Sequence, residues 1–225
     1  MSNYFYVAPE QLIKDRAEFA QKGIARGRSI VAAIYDTGVV LVAENPSASL
    51  NKISEIYDRI AFAGAGKYNE FERLREAGIR WADGTGFTYS REDVDARALA
   101  NYYAQHVGDM FSDGQKPLEI EILVAQLGNK IRPTKLFRIA YEGTISEEPR
   151  FAVLGGDSET IKSRFAAAEE HLEPLTTTLT NAVAALAGPD RTLPVSELEV
   201  CVLEDRATRR TFLRLTDDQV SEILR

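Results

Sequence analysis

The start of the chain has the pattern of an amphipathic helix. Apolar residues recur at helical spacing between Leu12 and Ile24, and charged residues fill most of the positions between them. Pro9 and Glu10 suit a first helical turn, because proline has no N–H to leave unpaired and glutamate faces the positive end of the helix dipole. The sequence therefore predicts a helix over residues 9–26.

Two short apolar runs follow this helix. They cover residues 29–35 and 39–43, and the turn residues Asp36-Thr37-Gly38 separate them. This arrangement predicts a β-hairpin in which Gly38 supplies the positive φ of the loop. A further apolar stretch over 53–65 predicts one or two more strands.

Helical spacing returns in the next segment. Residues 68–77 predict a short helix that ends at Gly78, since glycine commonly follows the last helical residue. Ser90 and Asp93 then resemble a capping box, which predicts a longer helix with an apolar stripe that reaches Met110.

The second half of the chain repeats the succession of strands and paired helices. The predicted elements are strands over 118–127, 135–141 and 150–154, two helices separated by Glu173-Pro174, strands over 197–203 and 211–215, and a last helix that Thr216 and Gln219 cap. Groups of strands that alternate with helix pairs indicate an α+β fold with two stacked sheets and a helix pair on each outer face. We expect one domain.

Composition excludes several classes of function. The 225 residues carry a net charge of −7, which argues against nucleic acid as a partner, because phosphate binding needs clustered lysine and arginine. The single cysteine, Cys201, lies in an apolar strand pattern typical of a buried, inert thiol. The sequence contains neither a signal-peptide pattern nor an apolar run long enough for a membrane span, so we expect a cytoplasmic protein.

Signals for metal and nucleotide chemistry are weak. His106 and His171 have no cysteine or histidine at ligand spacing, so we expect no metal and no cofactor. Residues 61–68 nearly match a phosphate-binding loop, but Tyr68 stands where serine or threonine would bind magnesium. A turn between a strand and a helix is the preferred interpretation, and nucleotide binding is the alternative that an ATP titration tests.

Ser29, at the entry to the hairpin, is the remaining candidate nucleophile. An N-terminal nucleophile hydrolase uses the free α-amine of its first residue as the base. Ser29 is internal, so this chemistry would require cleavage after Arg28. An autonomous hydrolase that uses Ser29 after processing is therefore the alternative to a non-catalytic protein.

Several long stretches resemble proteasome α-subunits, most closely the actinobacterial type. They include RSIVAAIYDTGVVLVAENPS, NKISEIYDRIAFAGAGKYNEFERLREAGI, KPLEIEILVAQLG and SELEVCVLEDR. The resemblance runs from about Tyr4 to the C-terminus. It implies a four-layer α-β-β-α sandwich, the fold of N-terminal nucleophile hydrolases, with an extra N-terminal helix. It also implies a non-catalytic subunit of a heptameric ring that caps catalytic β-subunits, which belong to a threonine-type endopeptidase complex.

The same resemblance implies roles for particular residues. Residues 1–8 match the gate segment of the axial pore, in which Tyr4, Phe5 and Tyr6 provide bulk and Pro9 positions the turn. The Tyr-Asp-Arg tripeptide of archaeal and eukaryotic α-subunits is absent from this segment. Lys52 and Gly66 match the pocket between neighbouring α-subunits that binds the C-terminal tails of an activator, usually an ATPase ring. The implied partners are β-subunits, further α-subunits, the activator and unfolded substrates in transit.

Overall fold

The computed structural model describes residues 8–113, 116–129, 132–168, 171–206 and 210–225. The helices are α1 (Pro9–Ala25), α2 (Tyr68–Thr88), α3 (Ala96–Ser112), α4 (Ser158–Ala168), α5 (Leu175–Ala187) and α6 (Asp217–Ile223). The strands are β1 (Ile30–Tyr35), β2 (Gly38–Glu44), β3 (Ile53–Tyr57), β4 (Ile60–Gly66), β5 (Ile120–Gln126), β6 (Lys135–Ile139), β7 (Ile145–Glu148), β8 (Phe151–Leu154), β9 (Leu198–Glu204) and β10 (Phe212–Arg214).

The strands form two antiparallel five-stranded sheets. The first sheet has the order β10-β9-β2-β1-β8, and the second has the order β3-β4-β5-β6-β7. Their facing sides share one apolar core, to which alternate residues such as Ala32 on β1 and Ala63 on β4 contribute. Strands such as β2 and β5 therefore bury both faces, which explains why they read as nearly continuous apolar runs.

Helices cover the outer face of each sheet. Helices α4, α5 and α6 pack on the first sheet around Phe165 and Leu179, whereas α2 and α3 pack on the second sheet around Phe71 and Leu99. These layers confirm the predicted four-layer α-β-β-α sandwich. The N-terminal helix is confirmed as well, since α1 begins at Pro9 and ends one residue before the predicted bound.

Helix α1 lies across one end of the second sheet. It contacts β4 and β5, and it buries Ala20 and Ile24 against the sandwich. Its Gln21 side chain donates a hydrogen bond of 3.0 Å to the hydroxyl of Tyr141. Residues 26–29 then connect this helix to β1, which lies between β2 and β8 in the first sheet.

The prediction that Gly78 ends a short helix is wrong. Helix α2 continues to Thr88, and Gly78 is buried in its middle. A Cβ atom at this position would overlap the hydroxyl of Tyr103 on α3. Gly78 is therefore a point of close contact between two helices, where a larger residue would not fit.

The predicted cap of the following helix is also wrong. Ser90 caps a short 3₁₀ helix, where its hydroxyl accepts a hydrogen bond of 3.1 Å from the amide of Glu92. Helix α3 begins at Ala96, and the carboxylate of Asp95 caps it by accepting a bond of 2.9 Å from the amide of Ala98. In contrast, the predicted capping box of Thr216 and Gln219 at the start of α6 is confirmed.

Gly38 serves a different purpose from the predicted one. It is not among the described glycines with positive φ, which are Gly66, Gly143, Gly155 and Gly188. It is the first residue of β2, where a Cβ atom would overlap the carbonyl oxygen of Leu203 on the neighbouring β9. Close approach of two strands, and not turn geometry, requires glycine there.

Cys201 is buried on β9, as the sequence predicts. Burial raises the pKa of its thiol to about 12, so the reactive thiolate does not form at neutral pH. In the part of the chain that the structure describes, no helix is both long and apolar enough to cross a membrane.

Candidate functional site

Lys52 ends the loop between β2 and β3, and side chains within this loop fix its shape. The Asn45 amide group donates a hydrogen bond of 2.7 Å to the carbonyl of Leu50, and its oxygen accepts one of 3.2 Å from the amide of Ser47. The Ser47 hydroxyl in turn accepts a bond of 3.1 Å from the amide of Leu50. The loop thus closes on itself just before Lys52.

A buried carboxylate on β9 holds the other side of this loop. Glu199 is only 7% exposed, and it accepts bonds of 2.8 Å from the Lys52 amide and 3.0 Å from the Ile53 amide. It also accepts a bond of 2.7 Å from the Asn45 side chain, and it pairs with the guanidinium of Arg214. This carboxylate therefore fixes the backbone from which the Lys52 side chain extends.

The Lys52 side chain is half-buried and reaches the segment between α1 and β1. Its Nζ donates a hydrogen bond of 2.7 Å to the carbonyl of Arg28. Burial, with a smaller effect from the charge of Arg28, lowers the pKa of Lys52 to about 8, although the charges of Glu199 and Glu44 act in the opposite direction. The ammonium is therefore less strongly favoured here than on an exposed lysine.

Glu44, at the end of β2, is a second buried carboxylate beside Lys52. It is 5% exposed and pairs with the guanidinium groups of Arg28 at 2.9 Å and Arg191 at 3.1 Å. These three residues, together with Ser29 and Asp157, lie along a cavity of about 630 Å³ at this end of the first sheet. Both buried acids thus have cationic partners.

Gly66 is the last residue of β4, and its backbone requires glycine. Its φ is +101°, and a Cβ atom would overlap the carbonyl oxygen of Glu119. A Cβ atom on Gly27, in the segment after α1, would lie only 2.7 Å from the Gly66 nitrogen. Gly66 therefore marks a place where backbones come into direct contact.

Gly66 also lines a cleft of about 600 Å³ beside α1. Phe19 forms part of the wall, and four cationic residues surround the cleft, namely Lys22, Arg26, Lys67 and Lys116. Lys116 binds Glu119 at 2.6 Å and Glu70 at 2.8 Å, and this lysine lowers the pKa of the Glu119 carboxyl. Carboxylates therefore neutralise part of the positive charge around this cleft.

The structure brings Lys52 and Gly66 to the same end of the sandwich. Lys52 hydrogen-bonds Arg28, Gly66 touches Gly27, and the carbonyl of Lys52 accepts a bond of 3.0 Å from the amide of Gly64 in β4. The two residues therefore flank the short connection between α1 and β1.

The remaining predicted site residues lie at the N-terminus. Pro9 is the exposed first residue of α1, as its fixed φ suits. The gate residues Tyr4, Phe5 and Tyr6 lie outside the described residues, so their role stays a prediction.

Ser29 is buried immediately before the first residue of β1. It is 7% exposed, and its carbonyl accepts a hydrogen bond of 3.2 Å from the amide of Glu44. The α-nitrogen of Ser29 is joined to Arg28, whose carbonyl accepts the Lys52 bond. Ser29 in this chain is therefore internal and does not present the free α-amine that an N-terminal nucleophile requires.

The near match to a phosphate-binding loop is a strand and the turn after it. Residues 61–65 belong to β4 and pair with β3 and β5 on its two sides. Lys67 Nζ lies 3.5 Å from Glu70 and 3.7 Å from Glu119, so nearby carboxylates already neutralise it. Among the described residues, no group of three or more acidic, histidine or cysteine side chains is arranged to hold a metal ion.

The sequence interpretation did not find Glu44, Glu199 or Arg191. The available signal is an acidic residue within an apolar strand, as in VLVAE and LEVCVL, because a charge on a buried strand needs partners. The identity of those partners depends on the pairing of β2 with β9, which the sequence pattern does not reveal.

Comparison with known proteins identifies the family. A family described as "Proteasome subunit" matches residues 24–187. A protein named "Proteasome subunit alpha" from Acidimicrobium ferrooxidans is 57% identical over 224 residues, which cover 100% of this chain and 97% of the relative. Proteins of the same name from Sanguibacter keddieii and Mycobacterium leprae are 49% and 47% identical over 100% of this chain, covering 90% and 89% of their own lengths. The chain therefore belongs to the proteasome subunit family, among the alpha subunits of actinobacterial type.

Proposed function

We propose that this chain is the non-catalytic α-ring subunit of a proteasome core particle. One observation carries the proposal: α1 packs on the sandwich through Ala20 and Ile24, so the residues ahead of Ser29 are part of the folded domain. While these residues stay attached, the nitrogen of Ser29 is held in a peptide bond, and the chain lacks the free α-amine that an N-terminal nucleophile uses as its base. The chain then forms the entrance to the particle, and the β-subunits of a threonine-type endopeptidase cleave the substrate.

The ring is a homo-heptamer that stacks on the β-subunits in the cytoplasm. Residues 1–8 form its gate, with Tyr4, Phe5 and Tyr6 narrowing the axial pore and Pro9 fixing where the segment leaves α1. Unfolded protein passes through this pore to the proteolytic chamber. The role requires no cofactor, no nucleic acid and no membrane.

The pocket around Lys52 and Gly66 docks the C-terminal tails of an activator such as an ATPase ring. An ammonium suits the terminal carboxylate of a tail, and a glycine lets the tail backbone approach closely. One exposed ion pair is worth only about 0–1 kcal/mol, so several tails must bind together to give useful affinity. Partial burial of Lys52 strengthens its electrostatic interaction with an arriving carboxylate.

Co-expression with a β-subunit, followed by electron microscopy, tests the proposal. We expect a stacked particle with sevenfold outer rings formed by this chain. Peptide hydrolysis should require the β-subunit and should be absent from the purified chain alone. Hydrolysis by the chain alone, or failure to associate with any β-subunit of actinobacterial type, would contradict the proposal.

A further inference from the structure

Buried polar side chains gather behind Lys52. Ser29, Glu44, Asn45 and Glu199 are all less than one-tenth exposed, and all lie at the end of the first sheet that faces this lysine. A buried carboxylate is costly unless hydrogen bonds and opposite charges compensate it. Such a cluster therefore needs a reason beyond simple packing.

Glu199 is the centre of this cluster. Its two oxygens accept from Asn45, the Lys52 amide and the Ile53 amide, and it pairs with Arg214. Arg214 also donates a bond of 2.6 Å to the carbonyl of Ile53. Every one of these contacts fixes the backbone of Lys52 or a residue next to it in space, while none of them uses the Lys52 ammonium.

We propose that Glu199 is a positioning residue that presents the Lys52 ammonium to the tail carboxylate of an activator. The inference rests on the proposed function, because the ligand is the tail that the Lys52 pocket docks. Glu199 itself does not touch the ligand. It acts by holding the chain at Lys52 and by placing a negative charge behind the ammonium.

The geometry explains why the backbone of a flexible lysine has to be held. An ammonium has three donors, and Nζ uses one of them on Arg28. Hydrogen bonds hold the Lys52 backbone at one end of the side chain and Nζ at the other. The remaining N–H donors of the ammonium therefore point in one fixed direction. A tail carboxylate then binds without the entropy loss of ordering a long side chain.

The charges around Lys52 make docking sensitive to pH. They are Glu199 on β9, Glu44 on β2 and Arg28 ahead of β1, with Arg191 and Arg214 behind the two carboxylates. Tail docking requires the ammonium, and the pKa of Lys52 is about 8. Affinity should therefore be constant well below pH 8 and should fall as the pH rises through that value.

The test uses the assembled α/β particle and a synthetic peptide. The peptide carries the C-terminal residues of the organism's own proteasomal ATPase, with a free carboxylate or with an amide as the blocked form. In Glu199→Gln, we expect the free-carboxylate peptide to bind about tenfold more weakly at neutral pH, the effect of one lost charge-assisted contact. The pH midpoint of binding should also move to lower pH, because Glu199 raises the pKa of Lys52.

Two further variants separate position from charge. Asn45→Ala removes the amide group that joins Glu199 to Leu50, so affinity should fall without a shift in the pH midpoint. Glu204→Gln is the control, since Glu204 is an acid at the opposite end of β9, where it accepts a bond of 2.6 Å from the Tyr35 hydroxyl, and its replacement should leave both readouts unchanged.

A double variant tests whether Glu199 acts through Lys52. In the Lys52→Ala background, Glu199→Gln should cause no further loss of affinity. Full affinity and an unshifted pH midpoint in Glu199→Gln would overturn the proposal. If the Glu199→Gln particle does not assemble, full peptide affinity in Asn45→Ala would overturn it instead. Unchanged peptide binding in Lys52→Ala alone would instead overturn tail docking at this pocket, so the two failures are distinguishable.

Discussion

Lys52 combines properties that rarely occur together in a lysine. Its stem is half-buried and its ammonium bonds a backbone carbonyl, yet two buried carboxylates lie close enough to oppose the loss of its charge. An exposed lysine would retain its charge at any physiological pH but would have to be ordered by its ligand. Lys52 is ordered in advance and stays charged near neutral pH, which suits a residue that recognises a carboxylate.

Replacement of Lys52 should separate assembly from activation. In Lys52→Ala, we expect rings to assemble normally, because the side chain contributes a single described hydrogen bond. Activator-stimulated degradation by the α/β particle should be lost, whereas hydrolysis of short peptides without activator should not change. Lys162→Ala, on the exposed face of α4, is the control. Stimulation that persists in Lys52→Ala would remove this residue from the pocket.

The sequence could reveal only part of this site. Lys52 and Gly66 could be identified from the resemblance, but nothing local distinguishes Lys52 from an exposed lysine. Its partner Glu199 is 147 residues away along the chain. The contact exists because β9 pairs with β2 and so brings Glu199 beside the loop that ends at Lys52. Such contacts follow from strand register, which a single sequence specifies poorly.

Helix α2 shows how tertiary packing overrides a local signal. Glycine within a helix costs about 1 kcal/mol relative to alanine, which made Gly78 resemble a helix end. Buried residues on both sides of it, including Phe71 and Ala82, keep the helix on the second sheet. Strand β7 was not predicted because three of its four residues are polar, so it lacks the apolar pattern of a strand.

Alanine substitutions at two glycines of α2 should have opposite effects on stability. Gly78→Ala forces a methyl group against the Tyr103 hydroxyl, so we expect the free energy of unfolding to fall by about 1–3 kcal/mol. Gly84→Ala meets nothing within 4 Å. It should raise the free energy of unfolding by up to about 1 kcal/mol, because alanine is the better helix former. Urea unfolding of the purified variants measures both effects.

A second substitution checks the cause of the Gly78 effect. The Tyr103 hydroxyl is buried and has no hydrogen-bond partner among the described residues, so Tyr103→Phe should not destabilise the protein. Combined with Gly78→Ala, it should recover part of the lost stability, since it removes the nearest atom, while the ring carbon Cζ would still lie 2.6 Å from the methyl group. Purely additive effects of the two substitutions would show that this contact is not the source of the loss.

At the scale of the whole molecule, the described residues form a four-layer sandwich. The two sheets and their helix layers form three apolar clusters from residues after Pro9. The layer order could be predicted from the alternation of strand groups and helix pairs, because each element must bury one face against another.

Deletion of residues 2–8 should open the particle. We expect faster peptide hydrolysis by the assembled α/β particle, because several bulky aromatic residues leave the pore of the ring. Replacement of Tyr4, Phe5 and Tyr6 together by serine keeps the length of the segment and should give a smaller increase in peptide hydrolysis. If hydrolysis by the deletion variant stays at the rate of the intact particle, these residues do not form the barrier.

The intact mass of this chain in an active α/β particle tests the central claim most directly. The account predicts a chain that still carries the segment ahead of Ser29, in a particle whose hydrolysis depends entirely on the β-subunit. A mature chain that begins at Ser29 and cleaves peptides when purified alone would contradict it.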